Sequence, residues 1–362
     1  MSEDANSAVA VLQERVRKAA QDGEALAITG GGTKSFLGRV SRGTPYSVRA
    51  IQGVVHHEPT ELVVTVRAGT RLTELESTLA QSGQMLPFEP PAFGEGATIG
   101  GTIACGLSGP SRPYRGAARD FVLGVRCING KGESLRFGGE VMKNVAGYDV
   151  SRLMAGAMGT LGILTEISLK VLPRPACSQT RAFEMPGEPA SELMTSFLGR
   201  SLPVSAAAYL DGVLRVRLSG SEAAVNTAAG ALGGELEPEG DAFWPALKEH
   251  RLDFFANDSP LWRISLKPQN DALHFPGKTL IDWGGAQYWV KSDAGFEALS
   301  ELARPYGGYV TAFGGRDQGA RSDVLQDAVL KLNRRLKAAF DPAGILNPGR
   351  LFPKTDHVRR TR

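Results

Sequence analysis

Three glycine-rich stretches constrain this chain more than any other feature of its sequence. They are residues 30–35 (GGGTKS), residues 94–116 (GEGATIGGTIACGLSGPSRPYRG) and residues 156–163 (GAMGTLGI). Closely spaced glycines leave backbone N–H groups unobstructed by side chains, so several of them can converge on one anion. The first stretch follows a predicted strand and the third precedes one. Together they predict a site for one long, phosphate-bearing ligand, and a dinucleotide is the natural candidate.

None of these stretches carries a standard nucleotide-binding motif. Residues 30–35 lack the Gly-Lys-Ser/Thr of a Walker A loop and contain no GxGxxG, so taken alone they are equally compatible with a tight turn. In the second stretch, Ile99, Ile103 and Ala104 are apolar where a solvated loop would be polar. This favours a backbone lying against a planar ligand and its diphosphate, with Arg112 or Arg115 available to neutralise phosphate charge.

Composition excludes several classes of protein. The chain has 362 residues, 42% hydrophobic and 22% charged, which is typical of a soluble globular protein of about two domains. A net charge of +3 does not favour nucleic-acid binding. Cys105, Cys127 and Cys177 form no CxxC pattern, which indicates a reducing compartment and argues against an iron–sulfur or zinc site in this chain.

The sequence also predicts a cytoplasmic location. The first residues lack the apolar core of a signal peptide, and no stretch reaches the ~18 apolar residues of a membrane span. The last residues, from His357 to Arg362, are basic. They are compatible with a solvated tail or with a weak contact to an anionic membrane surface.

Hydrophobic periodicity predicts the elements of the first half of the chain. Thr70 is the expected N-cap of the second helix, and the last strand of this half is expected to have one solvent-facing side. Residues 87–117 are expected to be extended and irregular. The predicted elements are a helix at 7–21, strands at 25–29 and 62–68, a helix at 71–82, a hairpin of 121–128 with 133–137, and a strand at 163–171.

The chain changes character after residue 176. We expect an α+β fold in three parts: residues 1–175, a smaller α+β domain at 176–318, and a C-terminal segment at 319–362 that returns to the first part. The predicted elements of the last two parts are a hairpin at Asp211-Gly212, a helix from about 221, strands at 262–267, 279–283, 286–290 and 308–313, and helices at 293–304 and 322–340.

Residues 25–175 and 319–353 resemble the FAD-binding domain of the vanillyl-alcohol oxidase/p-cresol methylhydroxylase (PCMH) superfamily. The whole chain is similar to the family of FAD-binding subunits of glycolate oxidase (glycolate dehydrogenase) complexes. The runs that carry this similarity are PTELVVTVRAG (59–69), GQMLPFEPP (83–91), RDFVLG (119–124), LRFGGEVMKNVAGYDVSRLM (135–154), LGILTEISLKVLPRP (161–175), LWRISLKP (261–268), LIDWGGAQYW (280–289) and FDPAGILNPGR (340–350).

The resemblance implies a PCMH-type FAD-binding fold with a small cap domain over the flavin ring. It also implies which residues bind FAD, from all three glycine stretches and the C-terminal motif. These are Gly30, Gly31, Gly32, Thr33 and Lys34; Thr98, Gly100, Gly101, Ala104 and Cys105; Ser108, Gly109, Gly116 and Asp120; Gly159, Thr160, Gly162 and Ile163; and Asn347.

Departures from the family pattern refine this expectation. Members that attach FAD covalently carry a histidine where Thr33 stands, so we expect non-covalent FAD. Catalytic 2-hydroxy-acid dehydrogenases of the superfamily carry a His-x-Gly-Asp-Gly-Asn-x-His metal cluster, which this chain lacks. We therefore predict no metal site and interpret the histidines as surface or structural residues: His56, His57, His250, His274 and His357.

By resemblance, the chain is an FAD-dependent oxidoreductase that acts on the CH–OH group of a small 2-hydroxy acid, glycolate or D-lactate. The implied partners are a larger FAD- and metal-containing catalytic subunit and an iron–sulfur subunit that passes electrons to quinone, with peripheral membrane association through the complex. The sequence assigns no catalytic base. Arg316 is a candidate carboxylate ligand, and Trp283, Tyr288 and Trp289 either line a pocket or pack in the cap core. The alternatives are a structural subunit with inert FAD and a stand-alone dehydrogenase.

Overall fold

The computed structural model describes residues 2–139, 149–256, 258–268, 273–314 and 327–351. Arg316 and His357 lie outside the described residues. We call residues 2–173 together with 327–351 the first lobe, and residues 177–314 the second lobe. The mixed α+β class predicted from the sequence is confirmed.

Helices of both lobes lie against sheets. The α-helices are α1 (Ser2–Asp22), α2 (Leu72–Gln81), α3 (Ile99–Cys105), α4 (Arg112–Arg115), α5 (Val150–Leu153), α6 (Gly187–Ser196), α7 (Glu222–Leu232), α8 (Gly240–Lys248), α9 (Phe296–Ala303) and α10 (Asp327–Phe340). Short 3-10 turns occur at Ala118–Phe121, Phe197–Gly199, Asp253–Phe255, Trp283–Gly285 and Arg304–Tyr306.

The first lobe contains a five-stranded antiparallel sheet of order β3-β4-β8-β6-β7, the parallel pair β1-β2 and the short pair β5-β9. The hairpin predicted around Asn129-Gly130 joins β6 to β7. The strands are β1 (Leu26–Thr29), β2 (Thr44–Ser47), β3 (Val54–Glu58), β4 (Val63–Arg67), β5 (Gln84–Met85), β6 (Val122–Ile128), β7 (Ser134–Gly138), β8 (Ile163–Lys170) and β9 (Leu172–Pro173).

The second lobe contains an eight-stranded antiparallel sheet of order β13-β10-β12-β11-β15-β16-β14-β17. The predicted turn at Asp211-Gly212 joins β11 to β12. The strands are β10 (Cys177–Glu184), β11 (Val204–Leu210), β12 (Val213–Gly220), β13 (Glu235–Leu236), β14 (Leu261–Ser265), β15 (Lys278–Asp282), β16 (Gln287–Lys291) and β17 (Tyr309–Ala312).

The two faces of the eight-stranded sheet pack against different parts of the protein. Because strand side chains alternate between faces, Trp262 and Ile264 point to the outer face and pack in one core with Met194 of α6 and Leu299 of α9. The inner face contributes Ala206, Ala208, Leu280 and Trp289 to a cluster that also includes Leu37 and Leu107 of the first lobe. The inner face is therefore the surface on which the two lobes meet.

Three local predictions were wrong. Thr70 does not cap α2, because the N-cap is Arg71 and the Thr70 hydroxyl accepts a hydrogen bond from the Gly53 N–H at 2.8 Å. Residues 87–117 are not irregular throughout, since they contain α3 and α4. The strand β8 has no solvent-facing side: Ser168 is buried, and Glu166 and Lys170 are half-buried, because β4 and β6 flank the strand and other side chains cover both faces.

Candidate cofactor site

One cleft in the first lobe brings the three glycine stretches together. The empty space in the cleft, counted together with the open solvent at its mouth, is about 830 Å³. The predicted residues on its walls are Gly30, Gly31, Gly32, Thr33, Lys34, Thr98, Gly100, Gly101, Ala104, Cys105, Gly159, Gly162, Ile163 and Asn347. Segments more than 300 residues apart in sequence thus face one space.

The first glycine loop leaves β1 and packs tightly against the segment before α3. A Cβ atom on Gly31 would lie 1.5 Å from the carbonyl oxygen of Gly96, and one on Gly30 would lie 2.3 Å from the Thr98 hydroxyl. Gly32 has a φ of +76°, which favours glycine. These positions therefore require glycine for close backbone approach and turn geometry.

The same loop carries backbone donors without acceptors. Within the described part of the chain, no N–H group of residues 30–34 donates a hydrogen bond. Backbone donors left unpaired in a folded protein require water or a ligand, and successive N–H groups in a turn form an anion-binding concavity. An anion such as the pyrophosphate of a dinucleotide would be a suitable acceptor for these N–H groups.

Lys34 adds a positive charge to this wall. Its side chain is only 6% exposed, and Nζ donates to the Ala92 carbonyl oxygen at 3.1 Å. The Thr33 hydroxyl donates to the same oxygen at 2.7 Å. Burial lowers the pKa of Lys34, while nearby Cys105 and Glu249 oppose that shift.

Helix α3 forms the second wall. Thr98 is its N-cap, accepting from the Gly101 N–H at 3.2 Å. A Cβ on Gly100 would lie 2.7 Å from the Cβ of Ala68, so this glycine permits close packing of α3 on the residue that follows β4. A Cβ on Gly101 would meet only the Thr98 hydroxyl, at 3.2 Å. Gly101 therefore faces the cleft.

The third stretch is held by the C-terminal segment. Asn347 donates from Nδ2 to the Met158 carbonyl oxygen and accepts at Oδ1 from the Ile28 N–H. Gly159 has a φ of +69°, and a Cβ there would lie 2.8 Å from Nδ2 of Asn347. Lys337 donates to the carbonyl oxygens of Thr160 and Leu346, which ties α10 to the same stretch.

Five predicted residues do not line the cleft: Ser108, Gly109, Gly116, Asp120 and Thr160. The Ser108 hydroxyl and the Asp120 carboxylate accept from the N–H groups of Ala118 and Ala117, respectively. The Thr160 hydroxyl donates to the Ala157 carbonyl. Gly109 lies at the lobe junction, where Nε1 of Trp283 donates to the Gly109 carbonyl oxygen at 3.0 Å. Gly116 has a φ of +119° beside the Phe121 ring. Their contacts shape the backbone around the site.

Sequence reasoning missed two prominent wall residues, Met158 and Arg350. Arg350 donates to the Ser35 carbonyl at 3.3 Å, and burial lowers its pKa. The signal for Arg350 was its position directly after the Asn347-Pro348-Gly349 turn, which carries Asn347 into the site. Met158 lies within the third glycine stretch, but no motif singled out its side chain.

The aromatic residues of the second lobe divide between its two faces. Tyr288 is fully buried in the outer-face core. Trp283 and Trp289 lie instead at the lobe junction, where the Trp289 ring is 4.7 Å from that of Phe313 and 4.6 Å from that of His250. Burial lowers the pKa of His250 to about 3, so this residue is a neutral packing element. The described residues contain no group of three or more His, Cys, Asp or Glu side chains able to hold a metal ion.

Comparison with known proteins assigns this fold to the flavoprotein oxidoreductases of the FAD-linked type. Residues 7–138 match the FAD binding domain family, and residues 296–351 match the C-terminal domain of FAD linked oxidases. The chain is 48% identical to the Escherichia coli glycolate oxidase subunit GlcE over 341 residues, covering 94% of this chain and 96% of the relative. It belongs to the same family as that subunit. FAD is accordingly the cofactor of this chain.

Other relatives and solved structures agree with this family. The Bacillus subtilis glycolate oxidase subunit GlcD is 26% identical, with 82% of this chain and 77% of the relative covered. The structure of p-cresol methylhydroxylase with substrate bound superimposes with a TM-score of 0.72 at 14% identity, covering 95% of this chain and 87% of that chain. The latter similarity shows the fold. None of the helices in the described ranges is long and apolar enough to cross a bilayer.

Proposed function

We propose that the cleft binds FAD through the predicted residues of its three walls. The observation that carries this proposal is the row of unpaired N–H groups in residues 30–34 beside the Lys34 ammonium. These donors would hold the pyrophosphate, and Lys34 and Arg350 would offset its charge. Ser108, Gly109, Gly116, Asp120 and Thr160 would act by fixing the surrounding backbone. In this proposal residues 176–318 form the cap domain and residues 319–362 complete the FAD-binding part.

The proposed attachment is non-covalent. No histidine lies among the described residues that line the cleft, and Thr33 is hydrogen-bonded to Ala92. Cys105 is the one cysteine among the described wall residues, and burial raises its pKa, which disfavours the reactive thiolate. Acid precipitation of the purified protein should release all of the flavin into the supernatant. Flavin that stays with the pellet would contradict this.

We propose that the chain acts as a subunit in the oxidation of glycolate, and secondarily of D-lactate, to the 2-oxo acid. When bound, FAD accepts a hydride from a substrate carbon. The partners in this proposal are a larger FAD- and metal-containing subunit and an iron–sulfur subunit, with electrons passing to quinone at the membrane surface. The similarity to glycolate oxidase subunits supports it, as do the separate positions of Cys105, Cys127 and Cys177 and the lack of a metal cluster among the described residues.

The occupancy of the cleft is tested by a matched pair of glycine substitutions. Gly101→Trp should place an indole in the ligand space and abolish FAD binding, measured by flavin absorbance per protein after gel filtration. Gly230 lies in α7, where an added Cβ would have nothing within 4 Å, so Gly230→Trp should retain full flavin. Full flavin in folded Gly101→Trp protein would refute the site.

The catalytic role is tested by anaerobic addition of glycolate to the purified chain and to the assembled complex. Bleaching of this subunit's flavin only in the complex supports the proposed division of labour. Bleaching in the chain alone indicates a stand-alone dehydrogenase. If this flavin is reduced in neither, the chain is a structural subunit with inert FAD, an alternative favoured by the lack of an assigned base.

A further inference from the structure

A surface groove lies between helix α10 and the third glycine stretch, and we call it the rear groove. Asn347 and Arg350 line both this groove and the cofactor cleft. The residues of the glycine stretch divide between the two spaces. Met158, Gly159 and Gly162 line the cleft, whereas Gly156, Ala157, Thr160 and Leu161 line the groove. The stretch is therefore a thin partition between the groove and the cofactor cleft.

The described walls of the rear groove are basic. Arg334, Lys337 and Arg350 line it. The one acidic residue among its described lining residues is Asp341, whose side chain is fully buried and paired with Lys337. The remaining positive charge favours an anionic occupant.

Helix α10 extends this positive charge over the neighbouring surface. Lys331, Arg334 and Arg335 are exposed, and none of them forms an ion pair with a described side chain. Because residues three and four apart are neighbours on a helix, the three cations share one side of α10, which we call the basic face. Leu332 beside them is 57% exposed, whereas Leu336 packs against the first-lobe core. The basic face is thus directed away from the protein.

Two other occupants suit this surface less well. Residues 352–362 follow Leu351 at the groove and carry four Lys or Arg residues against one acidic residue. Their charge therefore matches that of the walls instead of complementing it. A bilayer is flat on this scale, whereas the rear groove is concave. An acidic protein with a projecting segment suits both the charge and the shape.

We propose that the rear groove and the basic face bind an acidic protein that takes electrons from the cofactor one at a time. This inference rests on the proposed function, in which an iron–sulfur partner removes the electrons. The partner's centre is reduced by one electron in each encounter, so two encounters oxidise the two-electron-reduced FAD, whose protons pass to water. Electron-transfer interfaces are small, below ~1,200 Å², and the thin partition keeps the path from the cleft short. Charge steers such encounters, and salt weakens the steering.

The first test measures how fast ferricyanide, a small anionic one-electron oxidant, oxidises the photoreduced flavin of the FAD-loaded chain in anaerobic stopped flow. In wild type the rate should fall as salt is added. The basic-face variant, which combines Lys331→Glu, Arg334→Glu and Arg335→Glu, should be about tenfold slower at low salt. Its oxidation by hexaammineruthenium(III), a cation, should be faster than that of wild type.

The matched control makes the same change in net charge on exposed residues of the second lobe, combining Arg200→Glu, Lys278→Glu and Arg304→Glu. It should behave as wild type. Equal slowing in the control, or a wild-type rate that does not depend on salt, would overturn the proposal. If the basic-face variant does not fold, Arg335→Glu replaces it, with a severalfold effect expected.

The second test is a binding measurement on the complex formed by co-expression with the proposed partner subunits. On gel filtration, the basic-face variant should release the iron–sulfur subunit at lower salt than wild type does. Equal salt resistance would overturn the proposal. It would also be overturned if the basic face were instead needed for sedimentation with vesicles of phosphatidylglycerol and phosphatidylcholine. A flavin-loaded wild-type chain that recovers no partner subunit would contradict the proposed function, and the ferricyanide rates would then decide the role of the surface.

Discussion

Asn347 donates a hydrogen bond from its side-chain nitrogen to the carbonyl oxygen of Met158 over 2.8 Å, joining residues 189 positions apart. Its side-chain oxygen accepts from the Ile28 N–H at 2.7 Å. Both ends of the amide are thus engaged by backbone. Asn347 therefore positions the first and third glycine stretches relative to each other, although it lies on the wall of the cleft.

Replacement of Asn347 by Asp should loosen the cleft. The carboxylate still accepts from Ile28, but it places an oxygen against the Met158 carbonyl where a donor is needed. We expect a loss of about 1–3 kcal/mol in unfolding free energy and weaker FAD binding, measured by urea unfolding and flavin titration. Asp tolerates the positive φ of +40° at this position, so backbone strain is not the cause.

The exposed Asn226 of α7 provides the control, since Asn226→Asp makes the same change in charge away from the cleft. Equal FAD affinity in the two variants would show that the Asn347 amide does not position the site.

Glu249 of the second lobe should help to hold Lys34 in place through hydrogen bonds to the Ala92 segment. Its carboxylate accepts from the N–H groups of Ala92 at 3.0 and 3.1 Å and of Phe93 at 2.8 Å, and the Ala92 carbonyl in turn accepts from Lys34 and Thr33. Glu249→Ala leaves two backbone donors unpaired. We expect a destabilisation of about 2–3 kcal/mol together with a several-fold loss of FAD affinity.

The matched control for Glu249 is Glu239→Ala at the other end of α8, where the side chain makes no cap hydrogen bond. Calorimetric unfolding and flavin titration of both variants provide the measurement. A Glu249→Ala protein that loses stability but keeps full FAD affinity would show that Glu249 does not influence the position of Lys34 through the Ala92 segment.

The contributions of Arg217 and Glu89 to stability should depend on each other, because the two residues form an ion pair. Their closest atoms are 2.7 Å apart across the lobe junction, and the side chains are 12% and 17% exposed. Removing one partner leaves a largely buried charge, which costs about 3–5 kcal/mol. We expect Arg217→Met and Glu89→Gln each to destabilise the protein more than half as much as the double variant. Additive losses in a double-mutant cycle would contradict this coupling.

The pH dependence of stability should contain two opposing contributions. Burial raises the pKa of Asp282 from 3.8 to about 7, so between these values the folded state binds the extra proton and the unfolding free energy falls as pH rises. Burial lowers the pKa of His250 from 6.5 to about 3, so there the unfolded state binds the extra proton and the unfolding free energy rises with pH.

Single substitutions should separate these contributions. Between about pH 4 and 6.5, the unfolding free energy of Asp282→Asn should rise more steeply with pH than that of wild type. Over the same range, the unfolding free energy of His250→Asn should fall as pH rises. Each variant should differ from wild type by on the order of 4 kcal/mol across this window. Urea unfolding of the cofactor-free protein at several pH values measures both slopes relative to wild type. Parallel curves for wild type and Asp282→Asn would mean that the Asp282 carboxyl titrates normally.

The sequence predicted secondary-structure elements best where interactions between residues close in sequence determine the structure. The apolar spacing of Leu72, Leu75 and Leu79 predicted α2, and all three are buried. Asn129-Gly130 predicted a hairpin, and the turn that forms is local but longer than two residues: over 129–133, the Asn129 side-chain oxygen accepts from the N–H groups of Lys131 and Glu133. Helix α3 was missed because its two glycines, its threonine and its two isoleucines have weaker helix propensity than alanine or leucine. Its stability comes instead from the Thr98 cap and from packing on Ala68.

The sequence by itself determined the class of ligand, since three glycine-rich stretches provide bare backbone wherever they fold and their similarity to a family specifies FAD. Only the tertiary structure decided which residues share one space. It separated Gly101, on the cleft wall, from Gly109, at the lobe junction. It also placed Arg263 and Gln287, each with one buried side-chain atom that has no hydrogen-bond partner among the described residues, on the wall of a cavity that no motif indicated. The reason is physical: backbone freedom is a local property of residue type, whereas burial and unpaired polar atoms depend on which distant segments pack together.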